Sequence, residues 1–441
     1  MKDYLTILGA GLAGSEAAWQ AAERGVSVVL YEMRPVKPTP AHKTDHCAEL
    51  VCSNSLGNNQ SPSAPHLLKE ELRKFNSLVI DAGDTHAVPA GAALAVDREL
   101  FSKKITEQLL KHPNITLIRE EVTEIPSEGP VIVATGPLTS PRLSESISRL
   151  IGQEYLYFYD AISPIVDANT INYDKTFFAS RYDKGTDDYL NCPLNEGQYY
   201  SLVNELKNGE KVPFKSFEKP IYFEGCMPVE ELAMRGDKTL AFGPLKPVGL
   251  LHPETKEQFY AVVQLRHENK EGTAFNLVGF QTKLTYPEQK RVIRLIPGLE
   301  NAEFFRFGAI HRNTYINAPD VLSCELDLKK NSGIYFAGQI IGVEGYVESV
   351  SMGLLAALSA VKRIKGEVYS TPPVDTALGS LLKYVTETRR QSFQPMNINY
   401  GLFQVQEMKI RNKKERNKKI ELKALDSLSQ WMETINGELV K

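Results

Sequence analysis

Tyr4-Leu5-Thr6-Ile7-Leu8-Gly9-Ala10-Gly11-Leu12-Ala13-Gly14 is a short apolar run that feeds a glycine-rich turn. The Ala-rich stretch Ser15 to Arg24 follows with helical character, Gly25 ends it, and Val26–Tyr31 is a second apolar, β-prone run. Strand, glycine turn, helix and strand in that order open a Rossmann unit. The spacing gives each glycine a task. Gly9 permits the tight turn. Gly11 lets the backbone approach a pyrophosphate seated on the helix N-terminus, where N–H groups lack partners, and Gly14 lets helix and strand pack closely. Glu32 ends the second strand with an acceptor suited to the diol of an adenosine ribose. The expected cofactor-binding residues of this segment are therefore Gly9, Ala10, Gly11, Leu12, Ala13, Gly14 and Glu32.

Outward from this turn, Pro35 to Ala93 is rich in Pro, His, Asn and Ser and reads as long loops around one helix, His66–Phe75. Long loops in a compact protein are usually functional. Helical periodicity returns at Arg98–Lys111, and Ile115–Arg119 and Val131–Ala134 read as strands. From Tyr155 to Arg306 the pattern changes to strand-like runs between turns: Phe177–Ala179, Lys219–Phe223, Tyr260–Leu265 and Ala274–Gly279. An apolar strand, Gly333–Ala337, a second glycine-rich turn and a helix over Val350–Ile364 then resume the first pattern, and the remainder is largely helical. The expected fold is α/β: a Rossmann-type FAD-binding domain carrying an inserted α+β domain rich in antiparallel strands. We expect the FAD-binding domain over residues 1–180 and 311–441 and the insertion over 181–310.

The choice of FAD rests on two later segments. Val131-Ile132-Val133-Ala134-Thr135-Gly136 looks like the "ATG" strand of flavoproteins that bind two dinucleotides. Gly333-Ile334-Tyr335-Phe336-Ala337-Gly338-Gln339 looks like their closing FAD motif, and Gly342, Gly345 and Tyr346 follow it. A turn there aims backbone N–H groups at a flavin ring, which a plain nicotinamide dehydrogenase does not need. Gly136, Gly338, Gln339, Gly345 and Tyr346 join the expected cofactor site.

The 441 residues imply two or three domains of ordinary size, and the formal charge of −3 excludes a generally basic chain. Any nucleic-acid contact must use a local basic surface. Lys409-Ile410-Arg411-Asn412-Lys413-Lys414-Glu415-Arg416-Asn417-Lys418-Lys419, with seven basic residues and one acidic, reads either as such a surface or as a solvated helix face. Cys47, Cys52, Cys192, Cys226 and Cys324 are odd in number, dispersed and without C-x-x-C pairing, which argues against a disulfide framework and against zinc. No metal is expected. The N-terminus lacks a basic leader followed by a long apolar run, and no stretch approaches the roughly 18 apolar residues of a membrane span. A cytoplasmic chain with no membrane or DNA contact is expected.

The chain resembles the TrmFO family, bacterial folate- and FAD-dependent tRNA (uracil-5-)-methyltransferases. The resemblance is carried by Gly9–Gly14, by Leu30-Tyr31-Glu32-Met33-Arg34-Pro35, and by Glu49-Leu50-Val51-Cys52-Ser53-Asn54-Ser55-Leu56. It continues through Phe223-Glu224-Gly225-Cys226-Met227-Pro228-Val229-Glu230, Ala337-Gly338-Gln339-Ile340 and Phe393-Gln394-Pro395-Met396-Asn397. The FAD segments are shared with the larger GidA-type tRNA-modifying flavoproteins, but those carry a long C-terminal region that is missing here.

The resemblance implies methylenetetrahydrofolate as carbon donor, reduced FAD as hydride source, NADH or NADPH as reductant, and tRNA as substrate at T-loop uridine 54. The same chemistry on a ribosomal RNA uridine is the alternative, with a GidA-type modification behind it. It also implies that Cys52 and Cys226 are catalytic. Chemistry agrees: uracil C5 is a poor nucleophile until a thiolate adds to C6, and a base must then take the C5 proton. A free Cys with pKa of about 8.5 is only a few per cent thiolate at neutral pH, so such a residue needs help from its surroundings. Which of the two is nucleophile stays open. Gly308-Ala309-Ile310-His311-Arg312-Asn313-Thr314-Tyr315 is a candidate lining of the folate or uracil pocket, and Arg266, His267 and Lys283 are candidates to meet the folate glutamate or RNA phosphates.

Overall fold

In the computed structural model, the described residues are 4–39, 41–153, 155–183, 186–213, 222, 227–388, 393–404 and 410–436. The expected strand–turn–helix–strand opening is Tyr4–Leu8, the Leu12–Glu23 helix and Ser27–Glu32. Tyr4–Leu8 runs parallel to Ser27–Glu32, with Leu5 opposite Val28 and Ile7 opposite Leu30. Leu5, Ile7 and Leu8 are buried, and in the second strand Val28 and Leu30 are buried while Val29 and Tyr31 are partly covered, which explains the apolar runs.

Six strands form the central sheet, in the order Asp327–Leu328, Asn331–Phe336, Val131–Val133, Tyr4–Leu8, Ser27–Glu32, Ile115–Arg119. All neighbours are parallel except the first pair. The chain moves from Tyr4–Leu8 to one side and returns to the other, so a crevice opens at the carboxyl ends of the strands where the order reverses. The Leu12–Glu23 and Tyr346–Ile364 helices pack together on this sheet. Their approach is close because Gly353 has no side chain: a Cβ there would overlap the Ala13 carbonyl.

The second sheet is antiparallel and also six-stranded: Phe177–Phe178, Tyr189–Leu194, Ala261–His267, Ala274–Leu277, Ile165–Asp167, Phe304–Arg306. It has a separate apolar core with Leu190, Val263, Leu265, Phe275 and Leu277. The Glu196–Asn208 helix covers it, started by a capping box in which Asn195 and Gln198 exchange side-chain and backbone hydrogen bonds. An antiparallel ribbon, Leu156–Ala161 with Ile310–Tyr315, carries the chain out of the first sheet region and back. The expected strand Lys219–Phe223 lies outside the described residues except for Tyr222, which bridges Tyr159.

The Pro35–Ala93 stretch is more ordered than its composition suggests. Besides the Ala64–Lys74 helix it holds a second helix, Leu78–Thr85, and a small sheet of Ser55–Asn58, Ala93–Val96 and Ala87–Val88. The second helix is only eight residues long and starts from a Ser77 cap on Ile80 N–H, too short to show a clear period.

Candidate functional site

Every parallel strand of the central sheet delivers residues to one place. Leu8–Gly9, Glu32–Met33, Glu120, Ala134–Gly136 and Gly338–Gln339 leave the carboxyl ends of five strands and line an open cleft of about 1070 Å³. The glycine turn has the geometry a pyrophosphate requires. Gly9 holds φ of +95°, and a Cβ on it would sit 2.7 Å from the Ala134 carbonyl oxygen. A Cβ on Gly14 would overlap the Gly9 carbonyl, so Gly14 fixes the turn against the helix. Gly11 and Gly136 both face open space, with nothing within 4 Å of an added Cβ. They form a cradle that side chains would fill, and the residues present fit a dinucleotide such as FAD.

Leu12, Ala13, Gly338, Gln339 and Tyr346 also line this cleft, whereas Ala10 and Gly14 lie behind it. Ala10 is fully buried and donates its N–H to Glu32 Oε2 at 3.0 Å. Glu32 Oε1 accepts from Arg34 Nε at 2.8 Å. Burial alone would raise the Glu32 carboxyl, but the Arg34 guanidinium outweighs it and holds the group below the usual carboxylate range. Arg34 also pairs with Glu49 at 3.1 Å and donates to the Thr44 and His46 carbonyls. His42 lines the same cleft and is pushed down to about 4, first by burial and then by Arg34, so it stays neutral at physiological pH.

A second open cleft of about 1290 Å³ shares Val51, Pro137, Leu138, Gln339 and Tyr346 with the first. Cys52 and Gly345 line it, together with Ser53, Asp160, Gln281, Asn313 and Glu344. The segment around Cys52 is held from three directions. Tyr346 Oη accepts the Cys52 and Ser53 N–H groups at 2.8 and 3.1 Å. Arg98 donates to the Leu50 carbonyl at 2.6 Å and the Cys52 carbonyl at 3.5 Å, and its guanidinium is paired with Glu268. Asn54 is fully buried: its amide donates to the Val96 and His267 carbonyls, and its Oδ1 accepts from Arg266 Nε at 2.9 Å. The Cys-Ser-Asn-Ser run therefore combines an anchor at Asn54 with a half-buried thiol at the cleft wall.

Other cysteines have different surroundings. Burial pushes the Cys47 thiol up to about 11 and raises Cys192 further, away from any reactive form. Cys324 is exposed, away from both clefts. Cys226 lies outside the described residues. Of the described residues on either side, Tyr222 bridges Tyr159, next to Asp160, and Val229 N–H donates to the carbonyl of Gln281 at 2.7 Å.

Glu344 is buried, and burial first, then the Asp160 charge, raises its pKa well above the ordinary carboxylate value. Gln339 Nε2 donates to Glu344 at 2.9 Å across the shared wall. These acids, with Arg34, Glu49 and Arg98, were not among the residues singled out from sequence. Arg34 and Glu49 stand inside the quoted motifs, but nothing in the pattern marks Arg98, Asp160 or Glu344. Of the other candidates, Asn313 does line the second cleft, whereas Arg266 is spent on Asn54 and Lys283 on Glu231 at 2.6 Å. His267 packs in a three-ring cluster, stacked on Phe178 and tilted against Phe275. Among the described residues no group of three or more His, Cys, Asp or Glu is placed to hold a metal. Nor, among the described residues, is any helix long and apolar enough to cross a membrane.

A family model described as glucose inhibited division protein A matches residues 4–368. A relative from Natranaerobius thermophilus, named methylenetetrahydrofolate--tRNA-(uracil-5-)-methyltransferase TrmFO, is 57% identical over 429 residues, 97% of this chain and 99% of that one. One of the same name from Bacillus subtilis is 53% identical over 431 residues, 98% of this chain and 99% of that one. The solved structure of Aquifex aeolicus GidA superposes with a TM-score of 0.71 at 18% identity, covering 98% of this chain and 76% of that one, a likeness of fold.

Proposed function

The chain belongs to the TrmFO family within the glucose inhibited division protein A flavoproteins, and from that premise we propose that it methylates uracil C5 in tRNA with methylenetetrahydrofolate as carbon donor. The observation that carries this reading is the common wall of the two clefts, which sets the Cys52 cleft against the dinucleotide cleft. Reduced FAD, when bound, supplies the hydride that takes the one-carbon unit from the methylene to the methyl level. Gly9, Gly11, Leu12, Ala13, Gly136, Gly338 and Gln339 would hold it, with Glu32 at the adenosine ribose. A reduced nicotinamide, NADH or NADPH, is the proposed reductant.

The protein's own groups perform the rest. Cys52 and Cys226 divide two tasks: one thiolate adds to uracil C6 and makes C5 nucleophilic toward the one-carbon unit, the other group takes the C5 proton as that carbon parts from the folate nitrogen, and the thiolate leaves C6 once hydride has completed the methyl group. Tyr346 and Arg98 hold the Cys52 backbone while this occurs, and the flanks of Cys226 support keeping it beside the same cleft. The target base leaves its stack to enter, as bases must for chemistry at a ring carbon. T-loop uridine 54 is the proposed position.

The test is methyl transfer. FAD-loaded protein is incubated with labelled methylenetetrahydrofolate, NADH or NADPH, and unmodified tRNA, with ribosomal RNA in parallel. Label is expected as 5-methyluridine in the tRNA, and is expected to vanish in Cys226→Ala while FAD is retained. Label in ribosomal RNA alone would replace the substrate, and no label in either RNA would overturn the reaction.

A further inference from the structure

The Lys413–Asn436 helix begins at Asn412, whose Oδ1 accepts the Lys414 and Glu415 N–H groups at 3.0 and 3.2 Å. It buries Asn417, Ile420, Glu421, Ala424, Leu428, Trp431 and Ile435, which recur every three or four residues along one face apart from the adjacent pair Ile420 and Glu421. That face packs on the Ala64–Lys74 helix, and Trp431 lies against Phe75. The spacing turns the basic residues of the first turns outward: Lys413, Lys414, Arg416, Lys418 and Lys419 are exposed, as is Arg411 before the helix. Lys418 pairs with Glu421 at 2.8 Å and Lys419 approaches Glu415 at 4.0 Å. Lys413, Lys414 and Arg416 have no carboxylate partner among the described residues. Of the earlier basic run, Lys409 lies outside the described residues.

The position of this face gives it meaning. Ser61 donates to the Glu421 carboxylate at 2.9 Å, and Lys418 Nζ donates to Ser61 Oγ at 3.0 Å. Ser61 belongs to the short loop between the Ser55–Asn58 strand and the Ala64–Lys74 helix. Ser55, Leu56, Gly57 and Pro65, on either side of that loop, line the cleft that holds Cys52. The positive surface therefore starts at the rim of the cleft, on a chain whose overall charge is −3.

We infer that the exposed face of this helix, from Arg411 to Lys419, is a docking surface for the phosphate backbone of the substrate RNA, which it holds while the displaced uridine enters the Cys52 cleft. The inference rests on the reading that the substrate is tRNA. Phosphate contacts fix register without reading sequence, and each one neutralised adds about 0.7–0.9 to the slope of log affinity against log salt.

The test uses the full-length, FAD-loaded chain with Lys413→Gln, Lys414→Gln and Arg416→Gln combined. Gln is a good helix former, so the exposed face keeps its conformation. tRNA affinity is measured across a salt series beside steady-state methyl transfer. The triple variant should bind tRNA at least about tenfold more weakly at low salt and lose about two to three from the salt slope. Its kcat at saturating tRNA, its FAD content and flavin reduction by NADH or NADPH should be unchanged. Lys330→Gln should change nothing, because exposed Lys330 sits at the opposite end of the central sheet, just before the Asn331–Phe336 strand. An unchanged slope and KM in the triple variant would overturn the docking surface while leaving the reaction standing. Absence of tRNA binding by the unaltered chain would overturn the premise itself.

Discussion

Tyr346 does two jobs with one side chain. Its ring borders both clefts, and its hydroxyl oxygen is the acceptor for the Cys52 and Ser53 N–H groups. Burial, then the neighbouring Cys52, pushes its pKa up, so the phenol stays protonated. Tyr346→Phe leaves two N–H groups without that acceptor, at a cost of about 1–3 kcal/mol per buried group. We expect kcat for methyl transfer to fall roughly tenfold or more, with FAD absorbance and tRNA KM little changed. Unaltered kcat would remove Tyr346 from the positioning of Cys52. The sequence offered Tyr346 as a cofactor-binding residue after the closing FAD motif, with no sign of its contact to Cys52. Its link to Cys52 spans 294 positions, a separation no local pattern reports.

Glu71 shows how one helix starts another. Its two carboxylate oxygens accept the Ala377 and Leu378 N–H groups at 2.7 and 2.8 Å, at the first turn of the Ala377–Glu387 helix. Burial raises its pKa to about 8 from the ordinary 4.5, and those N–H groups offset this only in part. A carboxyl with a raised folded-state pKa contributes stability that is fully present below about 4.5 and is lost as pH rises to about 8. In denaturant titrations between pH 5 and pH 8.5, the unaltered chain should lose stability with rising pH, and Glu71→Gln should flatten that trend. Parallel pH profiles for the two proteins would refute the assignment.

Elements were legible where periodicity was strong. Arg98–Lys111 and Ile115–Arg119 stand where the pattern put them. The Leu78–Thr85 helix and the small sheet around Ala93–Val96 were hidden because each is shorter than its own period needs, and tertiary packing on Val96 and Leu56 fixes them instead.

At the scale of the molecule, the dinucleotide cleft draws its walls from segments 8–13, 31–51, 120–143 and 338–349. A ligand that binds this folded surface and not the open chain stabilises it by mass action, by about 4 kcal/mol at a thousandfold excess over Kd. Stripping FAD should therefore lower Tm, and added FAD should restore it. In Gly11→Val the new side chain would enter the open cradle, so this variant should melt like the stripped protein and ignore added FAD. A yellow Gly11→Val protein with the Tm of the loaded chain would sink the assignment of the cleft. The glycine turn of this cleft was legible, since it acts through its own backbone, whereas Ala10 and Gly14 lie behind the cleft and Arg34, His42 and Glu49 line it without having been singled out. The Cys52 cleft was legible at Cys52, Gly345 and Asn313 but not at Asp160, Gln281 and Glu344, which the ribbon, the loop after Ala274–Leu277 and the closing turn bring together from distant parts of the chain.

The Tyr346 tether also carries a consequence for biosynthesis. On the ribosome, the Cys52 segment emerges early, while its tether and the wall shared by the two clefts wait for the Gly338–Tyr346 turn. A nascent or prematurely terminated chain thus exposes the thiol without the scaffold that directs it. Competence for methyl transfer therefore waits on residues more than three-quarters of the way along the chain.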